Sequence, residues 1–193
     1  STSPGCVTAD DTGLVKRVTF SPVRLDARHG KQAPNAAVHA LCFRGDGADS
    51  EAWVGAGSAD GAVRFWRSEA PHTGEALVVQ YAAAAAAADG GNAGVTGLRS
   101  ASGRVLAVNR CGCVRAWAWS EVSTNEQTDE EGRVQPVVGS FEVGQAADCS
   151  QFSPDAARVA VGGRAATASI WSIEAEKKVW KARNMPNDFL DLE

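Results

Sequence analysis

The sequence has 193 residues, of which 44% are apolar and 22% are charged, and its formal net charge is −4. These values are ordinary for a globular chain that is long enough to bury a sizeable core. The charge excludes the strong overall basic field typical of many nucleic-acid-binding proteins, but it is compatible with local basic patches. No run of about 18 apolar residues occurs, so we expect no membrane span.

The N-terminal residues contain two short β-prone pieces on either side of a polar turn. The turn is Asp10-Asp11-Thr12-Gly13, and aspartate followed by glycine favours tight turns. We predict a hairpin over residues 5–20, the end of an earlier repeat. Residues 21–36 are polar and are predicted to be a loop. The basic cluster there is interpreted either as solvated or as a phosphate contact; it comprises Lys16, Arg17, Arg24, Arg28, His29 and Lys31.

The clearest local pattern lies at residues 54–66. Small and apolar residues alternate up to Asp60-Gly61, and a second alternating run then ends in Trp66. Such alternation is typical of a strand with one buried face, and Asp-Gly favours a two-residue turn because glycine accepts positive φ. We predict a β-hairpin in which Asp60 holds the turn and Trp66 is a large buried plug.

This hairpin recurs twice further along the chain. Trp117 and Trp171 close similar runs, spaced 51 and 54 residues apart from one tryptophan to the next. Repeats of the WD-type propeller are about 40–45 residues long and kelch repeats about 50. The spacings here are therefore interpreted as WD repeats with loop insertions. A second spaced pattern precedes each tryptophan. It reads Val38-x-x-Leu41-x-Phe43 in the first unit, Val95-x-x-Leu98 in the second and, more loosely, Ala147-x-x-Ser150-x-Phe152 in the third. The predicted repeat units cover about residues 38–68, 95–119 and 148–173.

The segments between the units are less regular. Residues 77–81 are predicted to form an outer strand, whereas the seven alanines at 82–88 are too few for an isolated helix and are predicted to be a low-complexity loop. The acidic stretch 121–132 is predicted to be a loop on one face. Strand character returns at residues 134–143.

Cysteine and histidine do not indicate a metal or redox site. The five cysteines are scattered, and Cys111-Gly-Cys113 is too closely spaced for a usual zinc knuckle. We predict free thiols, packed as small buried side chains in a reducing compartment, and no cofactor. Of the three distant histidines, His39 is predicted on a strand, and His29 and His72 in loops.

An antiparallel blade of four strands buries its faces only against neighbouring blades. We therefore predict an all-β fold, a WD-repeat β-propeller of which this chain supplies about three blades and an N-terminal hairpin. Propellers usually close with about 4–8 blades, and WD-type rings typically with about seven. We expect further blades to complete the ring.

Three stretches resemble one WD-repeat family, the Nop-seven-associated factors of large-ribosomal-subunit assembly. Residues 9–16 resemble that family's first hairpin, and residues 161–171 resemble its glycine-rich hairpin ending in tryptophan. Residues 181–192, within the segment 179–193, resemble the signature that follows the family's third complete repeat. The three agree in order and spacing over essentially the whole chain, which is therefore similar to the N-terminal half of the family.

The chain also departs from the family pattern. Arg164-Ala165-Ala166 replaces an acidic residue and an amide, and Ser172 stands where many WD repeats have aspartate. Cys111 stands where the first unit has Asp60. These departures weaken the expectation of turn hydrogen bonds in the second and third units.

The resemblance implies a nucleolar, nuclear and non-enzymatic factor of early pre-60S particles. It implies partners among pre-60S assembly factors and ribosomal proteins, a place near pre-rRNA, and a release step linked to a AAA-type ATPase. It implies no membrane partner.

The C-terminal segment carries the candidate contact residues. A short basic run is suited to RNA phosphates, and the polar residues after it suit turn or backbone capping. The candidates are Lys177, Lys178, Lys181, Arg183, Asn184 and Asp188. The alternative is that the lysines are solvated and that Asn187-Asp188 caps a turn into the next blade.

Two other classes of function are weighed against the assembly scaffold. A WD propeller also serves as an adaptor, such as a ubiquitin-ligase substrate receptor or a histone-binding module, and blade geometry does not distinguish these roles. An enzyme is disfavoured because no Gly-x-Ser-x-Gly, phosphate-binding glycine loop or clustered histidine or carboxylate pair occurs. We predict no catalytic, cofactor-binding or metal-binding residue.

Overall fold

The computed structural model describes residues 5–44, 53–67, 77–80, 94–124, 139–164 and 166–183. Their strands form four antiparallel sheets in which consecutive strands pair with one another. Sheet 1 consists of β1 (Gly5–Ala9), β2 (Val15–Phe20) and β3 (Val23–His29). Sheet 2 consists of β4 (Val38–Arg44), β5 (Trp53–Ser58), β6 (Ala62–Arg67) and β7 (Leu77–Gln80).

The second half of the chain repeats this arrangement. Sheet 3 consists of β8 (Val95–Ala101), β9 (Arg104–Asn109), β10 (Cys113–Ala118) and β11 (Gly139–Glu142). The short helix α1 (Trp119–Thr124) follows β10. Sheet 4 consists of β12 (Cys149–Phe152), β13 (Arg158–Gly163), β14 (Ala166–Ser172) and β15 (Lys177–Lys181).

Three predictions for local structure were wrong. The predicted loop at 21–36 contains β3, where Val23, Leu25 and Ala27 alternate with charged residues and pair with β2. His29 therefore ends a strand instead of lying in a loop, whereas His39 lies in β4 as predicted. The start of the predicted acidic loop belongs to α1. His72, the alanines at 82–88 and the acidic residues 125–132 lie outside the described residues.

The core consists of three apolar layers, one between each pair of consecutive sheets. Because successive side chains of a strand point to opposite faces, each strand contributes apolar side chains to both faces of its sheet. In β9, Val105 and Ala107 pack towards sheet 2, while Leu106 and Val108 pack towards sheet 4. Sheet 3 is thus buried on both faces, as expected of an internal propeller blade.

Each repeated tryptophan packs back onto the preceding sheet. Trp66, only 4% exposed, joins Val15 of sheet 1, and the fully buried Trp117 joins Phe65 of sheet 2. Trp171 is partly buried against sheet 3, with its ring centroid 6.1 Å from that of Phe141. The three side chains therefore connect sheets 1 to 4 in sequence.

Candidate interaction surfaces

The first strands of sheets 2, 3 and 4 lie side by side and line a groove of about 750 Å³. These inner strands are β4, β8 and β12. Thr96 and Ser150 bridge two of them, with their hydroxyl oxygens 3.2 Å apart. The groove is the part of a propeller channel that these sheets define.

Two glycines, Gly57 on β5 and Gly97 on β8, allow neighbouring sheets to approach closely beside the groove. A Cβ atom added to Gly57 would lie 2.4 Å from Cγ1 of Val95, and one added to Gly97 would lie 2.2 Å from Oγ of Ser150. Both distances are well inside van der Waals contact, and both neighbours belong to the next sheet. Packing between sheets therefore requires glycine at Gly57, where the stiff Val95 side chain would clash, and an alanine at Gly97 would displace the Ser150 hydroxyl.

Among the described residues that line the groove, the ionisable side chains are His39, Cys42 and Arg99. Burial raises the pKa of the Cys42 thiol to about 12, so this group is neutral at physiological pH. The guanidinium of Arg99 donates a hydrogen bond from Nη2 to the carbonyl oxygen of Pro154 over 2.8 Å. The groove thus contains a permanent positive charge and, in its described lining, no aspartate or glutamate.

The predicted basic run lies mainly on β15, the outer strand of sheet 4. Lys177, Lys178 and Lys181 are exposed, and Arg183, two residues beyond the strand, is exposed as well. The contact role of these four residues stays a prediction. Asn184 and Asp188 lie outside the described residues.

Pairing with β14 divides the lysines between the two faces of sheet 4. Lys178 is opposite Trp171, with Nζ 5.1 Å from the centroid of its ring, and this face packs towards sheet 3. Lys177 is opposite Ser172, which lies on the other face because neighbouring strand residues alternate. A partner at β15 would therefore meet basic side chains on both sides of the edge.

Charged side chains hold the first two hairpin turns. Oδ1 of Asp10 accepts hydrogen bonds from the amides of Thr12 and Leu14, and Nζ of Lys16 lies 2.8 Å from Oδ2. In the second hairpin, Oδ1 of Asp60 accepts from the amide of Ala62 over 3.0 Å. Nη2 of Arg64 lies 2.6 Å from Oδ2 of Asp60.

The hydrogen bonds of Asp10 alter its acidity. Its bond with the Lys16 ammonium, followed by that with the Thr12 hydroxyl, holds the pKa of this carboxyl far below its usual 3.8. Hydrogen bonds to the charged form favour that form. Asp10 is therefore ionised in the folded protein at any pH near neutrality.

The turns of the third and fourth sheets are hydrogen-bonded too, through residues that the sequence patterns did not single out. Oδ1 of Asn109 accepts from the buried amide of Cys113 over 2.8 Å. In sheet 4, Oδ2 of Asp148 accepts from the amide of Arg164 over 2.9 Å, although Asp148 precedes β12. Both turns are therefore hydrogen-bonded, although through residues other than those at the position of Asp60. The sequence contained a usable local signal only for Asn109, which lies four residues before Cys113, the first residue of β10. Asp148 and its partner Arg164 are too far apart in sequence for such a signal.

The thiols differ in their surroundings. All five cysteines are free, and burial was correctly predicted for Cys42 and Cys113 but not for the exposed Cys111 and Cys149.

Within the described ranges, no group of three or more histidine, cysteine, aspartate or glutamate side chains is placed to hold a metal ion. Among the same residues, no helix has the length and apolar character needed to cross a bilayer.

No protein-family profile matches the chain. It is 28% identical over 191 residues to WD repeat-containing protein 74 of Bos taurus, and 28% identical over 188 residues to that of Mus musculus. Each match covers 94% of this chain and 43% of the relative, so the chain spans less than half the length of these curated proteins.

Among solved structures, the crystal structure of the computationally designed Ika8 protein is similar, with a TM-score of 0.61 and 22% sequence identity. The match covers 94% of this chain and 47% of that one. The repeated antiparallel sheets and the similarity to WD-repeat proteins confirm the predicted fold class, that of WD-repeat β-propeller blades.

Proposed function

We propose that this chain is part of a non-catalytic WD-repeat scaffold in the assembly of the large (60S) ribosomal subunit. The observation that carries the proposal is the similarity to WD repeat-containing protein 74 along 94% of the chain. It is supported by the resemblance of residues 181–192 to a family signature that a generic WD repeat would not contain.

The geometry of the described chain suits a scaffold. Neighbouring sheets bury their apolar faces against one another, which leaves outer strands, turns and the inner groove for partners. The outer strand β15 is exposed along its whole length and carries three of the four basic candidate residues. Exposed cations of this kind suit phosphate contacts, which position a protein on RNA without reading its sequence.

The proposal includes a location and a set of partners. We expect the protein in the nucleolus, bound to pre-60S assembly factors and ribosomal proteins close to pre-rRNA. We also expect its release to be linked to a AAA-type ATPase. The resemblance to the assembly family supports each of these expectations.

Sedimentation of pre-ribosomal particles tests the proposal. The natural full chain should co-sediment with pre-60S particles, and the variant Lys177→Glu, Lys178→Glu, Lys181→Glu should move towards the light fractions. Reversing charges at a phosphate contact replaces attraction by repulsion. The control Arg104→Glu, Arg158→Glu, Arg164→Glu makes the same change in net charge at other exposed positions and should stay with the particles. Circular dichroism should show that both variants fold.

The possible results test the ribosomal assignment and the contact through β15 separately. Absence of the natural protein from pre-60S fractions would overturn the ribosomal assignment, and purification with ligase subunits or histones would favour an adaptor instead. Co-sedimentation of both charge variants would leave the assignment standing and reject the β15 contact.

A further inference from the structure

The outer strand β15 presents an exposed indole among its basic side chains. Trp180 is 51% exposed, and its neighbour Val179 is 52% exposed. Lys177, Lys178 and Lys181 are exposed in the same strand. Exposed apolar surface with a polar rim marks binding sites, and an aromatic ring between cations is the combination with which proteins hold single-stranded nucleic acids.

Pairing with β14 places Trp180 on the face of sheet 4 that points away from sheet 3. Trp180 is opposite Ile170, whose neighbour Trp171 packs towards sheet 3. Successive residues of a strand point to opposite faces, so Ile170 and Trp180 point away from that sheet. Lys177, opposite Ser172, lies on the same face as Trp180. Because their partners on β14 are two residues apart, the indole and this ammonium are attached about 7 Å apart along the sheet.

Charges around the indole define where a polyanion fits. Lys178 and Lys181 are opposite residues of β14 that face sheet 3, so they flank the indole on the other side of the strand. A chain that crosses the edge at β15 therefore meets cations on both sides of the ring. Glu174 and Glu176 are exposed in the turn before β15 and repel phosphates there. The binding surface consequently extends from the start of β15 towards its end.

We propose that β15 binds a single-stranded segment of pre-rRNA, with one base stacked on the indole of Trp180 and the adjoining phosphates on the lysines. This inference rests on the RNA contact of the proposed function and adds the form of the RNA and the side chain that recognises it. A duplex keeps its bases stacked on one another, whereas an unpaired base offers its face to an aromatic side chain. Stacking accepts every base, so the site selects unpaired RNA without reading a sequence.

Fluorescence anisotropy with two labelled RNA probes tests this site on the natural full chain. The first probe is a single strand of oligouridine about 12 nucleotides long, within the usual size of single-stranded sites. The second is a blunt RNA duplex of the same length. We expect the single strand to bind at least about fivefold more tightly, because only its bases are free to stack on Trp180.

Variants assign the binding to the indole and its cations. Trp180→Leu should weaken binding of the single strand at least about fivefold and leave the duplex unchanged, whereas Trp180→Phe keeps a ring and should retain most of the affinity. Val179→Ala, at an equally exposed neighbour, is the matched control and should change neither.

Charge variants test the placement of the phosphates. Lys177→Gln should weaken binding of both probes and lower the slope of log Kd against log salt for the single strand by about 0.7. Glu176→Gln removes a repelling carboxylate and should tighten binding of both probes. Circular dichroism should show that each variant folds, and the exposure of all these positions favours that result.

Three results would overturn the inference. They are no binding of the single strand by the natural full chain, equal binding of single strand and duplex, and unchanged binding of the single strand by Trp180→Leu. Co-sedimentation with pre-60S particles is measured separately, so a chain that stays with the particles but gives one of these results keeps the ribosomal assignment and loses the stacking site. A chain that selects the single strand but is absent from the particles keeps the stacking site and loses its assignment to pre-rRNA.

Discussion

The indole ring of Trp66 stacks on the imidazole ring of His29, with centroids 5.8 Å apart and planes inclined by 23°. Each side chain is only 4% exposed. Trp66 belongs to β6 and His29 ends β3, so the pair joins sheets 2 and 1. The third strand of sheet 1 thus contributes directly to the first contact between sheets.

Replacing Trp66 by alanine should lower the free energy of unfolding by about 3–5 kcal/mol, because a large buried ring is lost and a cavity remains. The control Trp180→Ala removes a ring that is 51% exposed and should cost less than about 1 kcal/mol. Urea unfolding followed by circular dichroism gives both values. Equal losses in the two variants would contradict the anchoring role of Trp66.

Stability should fall in acid partly because of Asp10. The carboxyl has a lower pKa in the folded protein than its usual 3.8. Its contribution to the free energy of unfolding is therefore complete above pH 3.8 and is lost as the pH falls towards the lower pKa of the folded state. In Asp10→Asn, urea unfolding between neutral pH and about pH 2 should show a smaller loss of stability. Asp11→Asn changes an exposed neighbour and should keep the original profile. Matching profiles for all three proteins would exclude this role for Asp10.

Gly97→Ala should destabilise the contact between the inner strands by about 1–3 kcal/mol, because the new Cβ would lie 2.2 Å from Oγ of Ser150. Gly162→Ala is the matched control in another strand, since its Cβ would meet only Sγ of Cys149 at 3.5 Å. Thermal unfolding should show a clear decrease in Tm for Gly97→Ala alone. A Tm decrease of the same size in the control would mean that the glycine backbone, not the close approach, is responsible.

Asn109→Ala should lower the free energy of unfolding by about 1–3 kcal/mol, since the buried amide of Cys113 then has no side-chain acceptor. Asn109→Asp keeps an acceptor oxygen in the same place but buries a carboxylate at a position that is 3% exposed, so it should recover only part of this loss. Chemical unfolding of the three proteins measures the difference. If Asn109→Ala is as stable as the natural protein, the hydrogen bond to Cys113 is not what Asn109 contributes.

The positions of the main hairpins were predictable because two local signals agree there. Alternation up to Asp60-Gly61 indicates the strands, and Trp66 marks the end of the hairpin. The pattern predicted one buried face, whereas β5 and β6 are buried on both faces between sheets 1 and 3. The same reasoning missed β3 because Pro22 and the interleaved charged residues hide a period of two in the apolar residues from Val23 to Ala27. A loop interpretation rested on polarity, whereas pairing with β2 decided the structure.

The groove could not be predicted from the sequence. Arg99 and Pro154 are separated by 55 residues, and the packing of sheet 3 on sheet 4 brings them within 2.8 Å. The turn bond from Asp148 to Arg164 likewise spans 16 residues. The first contact depends on the relative placement of two sheets and the second on the pairing of β12 with β13, and no local pattern contains either. The lysines of β15, by contrast, were visible as a run, but their division between two faces required the strand register.

The backward packing of Trp66, Trp117 and Trp171 has a consequence for synthesis. Each tryptophan needs only strands that precede it in the chain, so every new sheet finds its docking surface already made as it leaves the ribosome. Domains generally fold in this N-to-C order during translation. The chain can therefore be assembled sheet by sheet, with each anchor completed as soon as its own strand has been made.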